Sequence, residues 1–263
     1  MIRIMTSNIW ADVFGNEVQH REDQLFETYM KYQPDVLGTQ EVWPNWHAST
    51  LMTNMQKAGY RILNDAPQGV VNYNVLFVKD ERFDVRHSGF EQLACTDDLT
   101  KNVQWAVLME RETGLRIGVC NTHFVHRAGP QYDEVREFHA EQISWRMNYM
   151  MEKRNCAATF AFGDMNTRPT STVFPTFEKR GFTPLVKLAP EKPTFSSYHK
   201  FPKRGEDGFF HGTISEEPYE AVTLDHIVGS MTDNYKVVDY KHVADQPALD
   251  ATDHCPVYVD LEF

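Results

Sequence analysis

Six apolar, strand-like runs in this sequence each end in, or begin from, polar side chains that suit metal or phosphate chemistry. Taken alone, such a residue is more often a turn former or a helix cap. Six cases from separate runs constrain the fold more strongly, because strands that share a sheet end along common edges, where functional groups collect. The sequence therefore predicts that these residues converge: Asn8; Gln40 and Glu41; His123; Asp164 and Asn166; Asp225 and His226; Asp253 and His254.

The residue types at these positions favour one kind of reaction. Hydrolysis of a phosphate ester depends mainly on positioning and on neutralising the charge of the phosphate oxygens. Asn8, Glu41 and Asp253 offer oxygen ligands of the kind that magnesium prefers. Zinc would favour more histidine and cysteine, so the set predicts Mg²⁺, with Mn²⁺ as the alternative.

The order of apolar patterns predicts an α/β fold. Helical periodicity covers residues 21–32, 46–58 and 131–152, and strand-like runs dominate residues 60–120 and the end of the chain. Helices among many strands favour two sheets packed face to face with helices outside. No repeat or linker divides the sequence, so we expect one domain over residues 1–263.

Charge and apolar content restrict the binding partners and the cellular location that we expect for the protein. The formal net charge of −11 disfavours a protein that grips nucleic acid, without excluding a basic groove. The longest apolar run, residues 156–162, is far shorter than the roughly 20 residues of a membrane span. The first residues lack the unbroken apolar stretch of a signal peptide, and the four cysteines form no CxxC pair. We therefore expect a soluble, cytoplasmic protein with buried, free thiols.

Residues 185–219 form a long stretch with several prolines and glycines and little periodicity. Loops of this length within a compact domain are usually functional or mobile. The stretch also carries basic side chains, including Lys200 and Lys203. It is either a solvated surface loop or a lip that contacts an anionic substrate.

The motifs SNIW, GTQEV, NTHFVH, GDMN, LDHIVG and TDHCPV resemble, in order and spacing, those of the endonuclease/exonuclease/phosphatase superfamily. The resemblance covers residues 8–257, nearly the whole chain. It implies a four-layered α/β sandwich, in which two central mixed β-sheets are flanked by helices. It also implies a metal-dependent phosphoesterase.

The resemblance assigns the metal site to three residues. Glu41 corresponds to the main metal ligand, Asn8 lies beside it, and Asp253 lies near the ion. We expect these side chains to hold one or two divalent cations.

The resemblance also assigns the catalytic groups. Asp164 orients or deprotonates the attacking water, and Asn166 holds that water or a phosphate oxygen. His254 contacts the scissile phosphate, and Asp225 accepts a hydrogen bond from its ring. His123 faces the phosphate or the leaving group.

Three further positions resemble substrate contacts. Asn74, next to Tyr73, matches a tyrosine–asparagine pair of bacterial members, although the two residues could also simply begin a strand. Lys101 stands where an arginine is expected and would bind phosphate without bidentate geometry. His226 replaces the more usual tyrosine, which changes that wall of the substrate pocket.

Three functions remain open from the sequence. The first is hydrolysis of a small phosphomonoester or phosphodiester, and the runner-up is a nuclease that cleaves DNA or RNA. The third, a binding protein that has lost catalysis, is disfavoured because every catalytic position is intact. No obligate protein partner and no membrane contact is indicated.

Overall fold

The structure, a computed structural model, describes residues 1–13 and 15–263, and this part of the chain contains two six-stranded sheets. Strands and helices are numbered in chain order. The first sheet has the order β13 (Lys236–His242), β14 (Val257–Glu262), β1 (Ile2–Asn8), β2 (Val36–Gln40), β4 (Asn74–Lys79), β3 (Tyr60–Leu63). The second has the order β5 (Phe83–Gln92), β6 (Asn102–Glu110), β7 (Arg116–His123), β8 (Ala158–Asp164), β12 (Asp225–Ser230), β9 (Phe182–Pro184).

Both sheets are mixed. Strands β1 and β2 run parallel, as do β7 and β8, whereas the other neighbouring strands are antiparallel. Strands β1 and β8 are buried along nearly their whole length. A strand covered on both faces reads as a nearly continuous apolar run, which explains the sequence pattern of β8 that ends at Asp164.

Three apolar clusters separate four layers. The central cluster fills the space between the sheets and includes Ile4, Val36 and Phe160. One outer cluster joins the first sheet to helices, and the other joins the second sheet to helices. The helices are α1 (Glu22–Tyr32), α2 (Pro44–His47), α3 (Thr50–Lys57), α4 (Pro130–Arg154), α5 (Val173–Lys179), α6 (Tyr219–Val222) and α7 (Gln246–Ala251). The predicted four-layered α/β sandwich is confirmed.

One predicted helix is divided in two. The pattern over residues 46–58 predicted a single helix, but α2 ends at His47 and α3 begins at Thr50. Ser49 between them has extended backbone angles (φ −74°, ψ 162°), and the backbone N–H of Thr50 donates to Glu22 Oε2 at 2.8 Å. The carboxylate of α1 therefore satisfies an amide at the start of α3, which a single-helix pattern does not reveal.

The long stretch 185–219 contains a small hairpin, β10 (Lys203–Arg204) and β11 (Phe210–His211). Among the described residues, no helix is long and apolar enough to cross a membrane. All four cysteines are free thiols, and three are buried as expected. Cys95 is exposed, so the expectation of burial was wrong there. Its positive φ of 60° places it in an irregular segment between β5 and β6 rather than in a strand.

Candidate active site

Strand register brings the predicted residues to one edge of each sheet. In the first sheet Asn8 pairs with Gln40, so β1 and β2 end side by side. In the second sheet Asp164 pairs with His123 on one side and with Asp225 on the other. The two edges meet where the side-chain amide of Asn8 donates to Asp164 Oδ2 at 3.0 Å. The predicted convergence therefore spans both sheets.

Asp164 lies at the centre of this arrangement. Its Oδ2 atom lies 3.4 Å from His123 Nε2 and 3.9 Å from His254 Nε2, in addition to the Asn8 contact. Its Oδ1 atom accepts the backbone N–H of Asn166 at 2.9 Å, which fixes the carboxylate. Burial raises the pKa of Asp164 to about 6, so at neutral pH the group is mostly ionised and is a stronger base than an ordinary aspartate.

His254 and Asp225 form a buried ionic pair. The Nδ1 atom of His254 lies 2.8 Å from Asp225 Oδ2. Burial alone would lower the pKa of His254, but the carboxylates of Asp225, Asp253 and Asp164 raise it well above its usual value. Burial conversely opposes ionisation of Asp225, yet His254 and a 2.7 Å hydrogen bond from the Ser197 hydroxyl keep its pKa low. The geometry therefore favours an imidazolium held by a carboxylate.

Glu41 is held in a strained backbone conformation directly after β2. Its φ of 63° lies in the left-handed region, which is uncommon for a residue other than glycine. Glu41 Oε2 accepts the backbone N–H of Ala11 at 2.7 Å, and Oε1 accepts the amide of Asn8 at 3.1 Å. Such strain persists when the surrounding structure over-determines it, as is common where a ligand binds.

The carboxylates near Glu41 fit a divalent cation. Burial, together with the charges of Glu41 and Asp164, raises the pKa of Asp253 to about 7. Glu41, His123 and Asp164 also bring one ligand atom each within 4.8 Å of one another. Crowded carboxylate oxygens with a neighbouring amide are the donor set of a hard cation, which would relieve their mutual repulsion.

Lys101 lies against His123, and its phosphate-binding role stays a prediction. Its Nζ atom is 3.0 Å from His123 Nε2, and both side chains are buried. Burial lowers the pKa of Lys101, although nearby carboxylates partly oppose this. Burial and the Lys101 charge lower the pKa of His123 well below its usual value. His123 is therefore neutral and accepts a hydrogen bond from the lysine.

Two predicted substrate contacts lie in other surroundings. The amide of Asn74 donates to the backbone and side-chain oxygens of Asn102, at 2.9 and 2.8 Å. His226 is buried, with Nε2 at 2.8 Å from the carbonyl oxygen of Thr167, and its ring packs on Phe174. The structure does not bring either residue into contact with Asp164, and their substrate roles stay predictions.

Gln40 belongs to a buried amide network between the sheets. Its Nε2 atom donates to Asn121 Oδ1 at 2.6 Å and to Thr6 Oγ1 at 3.0 Å. The amide of Asn121 in turn donates to the carbonyl oxygens of Thr39 and Val75, each at 2.9 Å. The network joins β7 of the second sheet to β2 and β4 of the first, directly beneath the site.

The segment 195–199 contributes contacts that the sequence motifs missed. Besides the Ser197 hydroxyl, the ring of Tyr198 packs against His254 with centroids 5.0 Å apart. The backbone N–H of His199 donates to the carbonyl oxygen of Asp253 at 2.9 Å. This segment lies within the aperiodic stretch 185–219, so only the unusual length of that loop signalled a functional role.

Comparisons with known proteins agree with this arrangement. A sequence model of the Endonuclease/Exonuclease/phosphatase family matches residues 5–254. No curated protein matches the sequence. A solved endonuclease/exonuclease/phosphatase from Bacteroides vulgatus superposes with a TM-score of 0.77, at 20% identity over 100% of this chain and 98% of that one.

Two further structures share the fold at low identity. A mannosyl-6-phosphatase from Bacteroides thetaiotaomicron has a TM-score of 0.73 at 17% identity, with 100% of both chains covered. The human Nocturnin catalytic domain, solved with a bound sulfate anion, has a TM-score of 0.74 at 22% identity, with 100% of this chain and 94% of that chain covered. Because the family model matches nearly the whole length of the chain, the chain belongs to the endonuclease/exonuclease/phosphatase family.

Proposed function

We propose that this protein is a divalent-metal-dependent hydrolase of a small phosphomonoester or phosphodiester. The observation that carries the proposal is the position of the Asp164 carboxylate, between a candidate cation site and two histidines. Members of the family hydrolyse phosphoester bonds, and we infer that this arrangement of side chains serves the same reaction. Mg²⁺ is the proposed ion, with Mn²⁺ as the alternative.

Glu41 and Asp253 would hold the cation through carboxylate oxygens. Asn8, whose Oδ1 accepts here from the backbone N–H of Trp10 at 3.0 Å, would turn its amide to add an oxygen ligand. When bound, the cation supplies positive charge that stabilises the phosphate oxygens in the transition state. The strained Glu41 backbone and the hydrogen bond from Ala11 hold the carboxylate in one orientation. A preorganised ligand loses less entropy when the cation binds.

Asp164 is the proposed base for the attacking water. A carboxylate with a pKa of about 6 accepts a proton more readily than an ordinary aspartate at neutral pH. Asn166 holds Asp164 through its backbone N–H, and its side-chain amide donates to the carbonyl oxygen of Phe124 at 3.0 Å. That second bond fixes the Asn166 side chain, whose proposed role is to hold a water or a phosphate oxygen.

His254 is the proposed donor to the scissile phosphate. Its ring is charged because Asp225 accepts from Nδ1, which leaves Nε2–H to donate to a phosphate oxygen. Lys101 and His123 lie on the other side of Asp164 and add positive charge and a neutral imidazole. We assign them to the phosphate or the leaving group.

A small substrate is preferred over nucleic acid. The net charge of −11 opposes broad contact with a phosphate backbone. The mannosyl-6-phosphatase that shares this fold is named for a small phosphorylated sugar. A nuclease would use the same catalytic groups and is the alternative that the following measurements separate. A single domain and a cytoplasmic location stay predictions.

The proposal is tested by assaying phosphomonoesters, phosphodiesters and oligonucleotides with Mg²⁺ or Mn²⁺. Asp164→Asn keeps the shape of the side chain and should lower kcat about 10²- to 10⁴-fold, with a smaller effect on KM. Asp239→Asn, a carboxylate on β13 remote from the site, is the matched control. Near-normal kcat in folded Asp164→Asn protein would refute the assignment of the base.

Metal binding is tested independently of turnover. Glu41→Ala should weaken Mg²⁺ binding measured by calorimetry, whereas the Asp239→Asn control should bind like the wild type. If Glu41→Ala bound Mg²⁺ with the same affinity as the wild type, Glu41 would not be a ligand of the cation. Tight duplex DNA binding with a steep salt dependence, efficient nicking and no turnover of small phosphoesters would instead assign a nuclease.

A further inference from the structure

Helix α4 carries exposed aromatic side chains on its solvent side. Trp145 is 61% exposed and Phe138 is 48% exposed. Seven residues make nearly two helical turns, so the two side chains lie on the same side of the helix, about 10 Å apart along its axis. Trp145 is the one exposed tryptophan within residues 1–13 and 15–263. Tryptophan is on average highly buried, so one left in water marks a surface that a partner can cover.

The position of the Trp145 ring is fixed by its neighbours. It stacks on Tyr149, with ring centroids 5.8 Å apart and an interplanar angle of 22°. The guanidinium of Arg146 lies 5.2 Å from the centres of both rings. Arg146 also lies 4.5 Å from the ring centre of Trp105 and pairs with Glu91. A side chain that is already ordered loses little entropy when a partner binds to it.

A cavity of about 430 Å³ opens beside the Trp145 ring. Tyr149 and Asn148 of α4 and Arg180, which follows α5, form parts of its other walls. The residues that dominate binding at protein interfaces are mostly tryptophan, tyrosine and arginine, and they lie in well-packed pockets near the centre of the interface. The cavity therefore offers a place in which an apolar side chain of a partner would contact Trp145.

The surface around Trp145 is acidic. Its carboxylates all belong to α4: Glu134, Glu137, Glu141 and Glu152. At about 100° per residue, three of the four lie within about 40° of Trp145 around the helix axis. Two cations lie beside the cavity, Lys153 and Arg180, and Arg180 already pairs with Glu141 at 2.7 Å. Four carboxylates against two cations leave this surface negative.

This charge distinguishes between kinds of partner. A second copy of the chain carries a net charge of −11 and presents the same acidic surface, so electrostatic repulsion opposes self-association there. Nucleic acid and anionic lipid are opposed for the same reason. A basic polypeptide is attracted to the carboxylates, and α4, with 25 residues and a length of about 37 Å, is long enough to bind a helical segment along its side.

We propose that the α4 face, formed by Phe138, Trp145 and the four carboxylates, docks a basic amphipathic segment of another polypeptide. An apolar side chain of that segment fills the cavity beside Trp145, and its lysine or arginine side chains lie opposite the glutamates. The inference does not depend on the proposed function. Helix α4 covers the outer face of the second sheet, whereas Asp164 and its neighbours lie at the strand ends.

The test uses three synthetic peptides of about 18 residues, titrated into the full chain by calorimetry. The first has leucines on one helical face and lysines on the other. The second replaces the leucines with serine at the same charge, and the third replaces the lysines with glutamate. At an ionic strength of about 0.15 M, where unspecific attraction is screened, the leucine–lysine peptide should bind at least tenfold more tightly than the serine peptide. The glutamate peptide should not bind.

A substitution at the anchor locates the binding. Trp145→Ala should weaken binding of the leucine–lysine peptide about 10- to 30-fold, and Trp145→Phe should retain most of the affinity. Phe209→Ala is the control, because Phe209 is 48% exposed but lies against His20, ahead of α1, with ring centroids 5.8 Å apart. The control should bind like the wild type.

A second pair of variants tests the carboxylates at equal net charge. The double substitution Glu134→Gln and Glu152→Gln should weaken binding about 2- to 10-fold. The matched control is Glu216→Gln with Glu217→Gln, two exposed glutamates of the stretch 185–219, and it should leave the affinity unchanged.

The outcomes decide between the docking face and its alternatives. A preference for the leucine–lysine peptide that Trp145→Ala removes and Trp145→Phe keeps would support the proposal. Equal binding of the leucine and serine peptides, or equal effects of Trp145→Ala and Phe209→Ala, would overturn it. Equal effects of the two glutamate pairs would also overturn it, because net charge alone would then explain the binding. In sedimentation of the wild type, a dimer that Trp145→Ala dissociates would assign the face to a second copy and refute the basic partner.

Discussion

Arg21 is a buried guanidinium that ties together three segments beside the active site. It donates to the carbonyl oxygens of Ile9 at 2.8 Å, Ala251 at 2.9 Å, Trp10 at 2.8 Å and Asn16 at 2.9 Å. The first three of these carbonyls lie within two residues of the proposed metal-site side chains. Replacing Arg21 should therefore cost both stability and the geometry of the site.

The expected loss of folding stability is the difference between two opposing contributions, the hydrogen bonds that Arg21 makes and the cost of burying its charge. Four hydrogen bonds from a charged donor at about 1.5–2 kcal/mol each give about 6–8 kcal/mol. Burial lowers the pKa of Arg21 from 12.5 to about 10, so holding the charge there costs about 3 kcal/mol. Arg21→Met fills similar volume between Trp10 and Trp46 without charge. We expect it to lower the free energy of unfolding by about 3–5 kcal/mol.

Urea denaturation of wild type, Arg21→Met and Arg21→Lys measures this loss at constant m-value. Arg21→Lys keeps the charge but cannot reach four carbonyls, so it should be intermediate. The control is Arg61→Met, because Arg61 is 45% exposed and pairs with Asp80 at the surface, where about 0–1 kcal/mol is expected. A loss in Arg21→Met no larger than in Arg61→Met would refute the reasoning.

Three more predictions concern other parts of the molecule. Gly163→Ala should destabilise by about 4 kcal/mol or more in thermal denaturation, because φ is 148° and a Cβ would lie 1.8 Å from a backbone oxygen of β7. Ser197→Ala should lower kcat/KM about tenfold, because Asp225 loses the hydrogen bond from the Ser197 hydroxyl. Ser196→Ala is the control and should leave kcat/KM unchanged, because the Ser196 hydroxyl donates to a backbone carbonyl instead. Equal effects of the two substitutions would contradict this prediction. Burial lowers the pKa of His242 to about 4, so the folded protein binds fewer protons than the unfolded chain as pH falls from 6.5 toward 4. Its contribution is complete above pH 6.5, and between pH 7.5 and pH 5 the wild type should lose about 2 kcal/mol more than His242→Gln, as urea midpoints at the two pH values would show. Both proteins share the losses from other buried histidines such as His139 and His199, whose pKa values burial also lowers to about 4.

The sequence predicted the fold class and the positions of strand-end residues well, for a physical reason. Strands buried on both faces are rich in apolar residues, so their ends are visible where a residue such as Asp164 interrupts the run. Neighbouring strands then bring those ends together through register, as for Asp164 and Asp225. Local pattern and sheet geometry together sufficed for this part of the site.

The remaining contacts depend on parts of the chain that no local pattern connects. Ser197 reaches Asp225 from an aperiodic loop 28 residues away. The break between α2 and α3 depends on Glu22 of α1, 28 residues before Thr50. The identity of these side chains alone does not predict such pairings, because each of these residue types is also common on solvent-exposed surfaces.

A site shared by two sheets requires the sheets to approach closely, and Gly38 on β2 explains how they do. A Cβ at Gly38 would lie 2.5 Å from both Asn121 Oδ1 and a ring carbon of Phe162. Because glycine leaves that space, Asn121 reaches across to the first sheet and accepts from Gln40 at 2.6 Å. The same approach allows the amide of Asn8, at the end of β1, to contact a carboxylate at the end of β8. The proposed catalytic groups from the two sheets therefore lie close together because the buried strand β2 has glycine two residues before it ends.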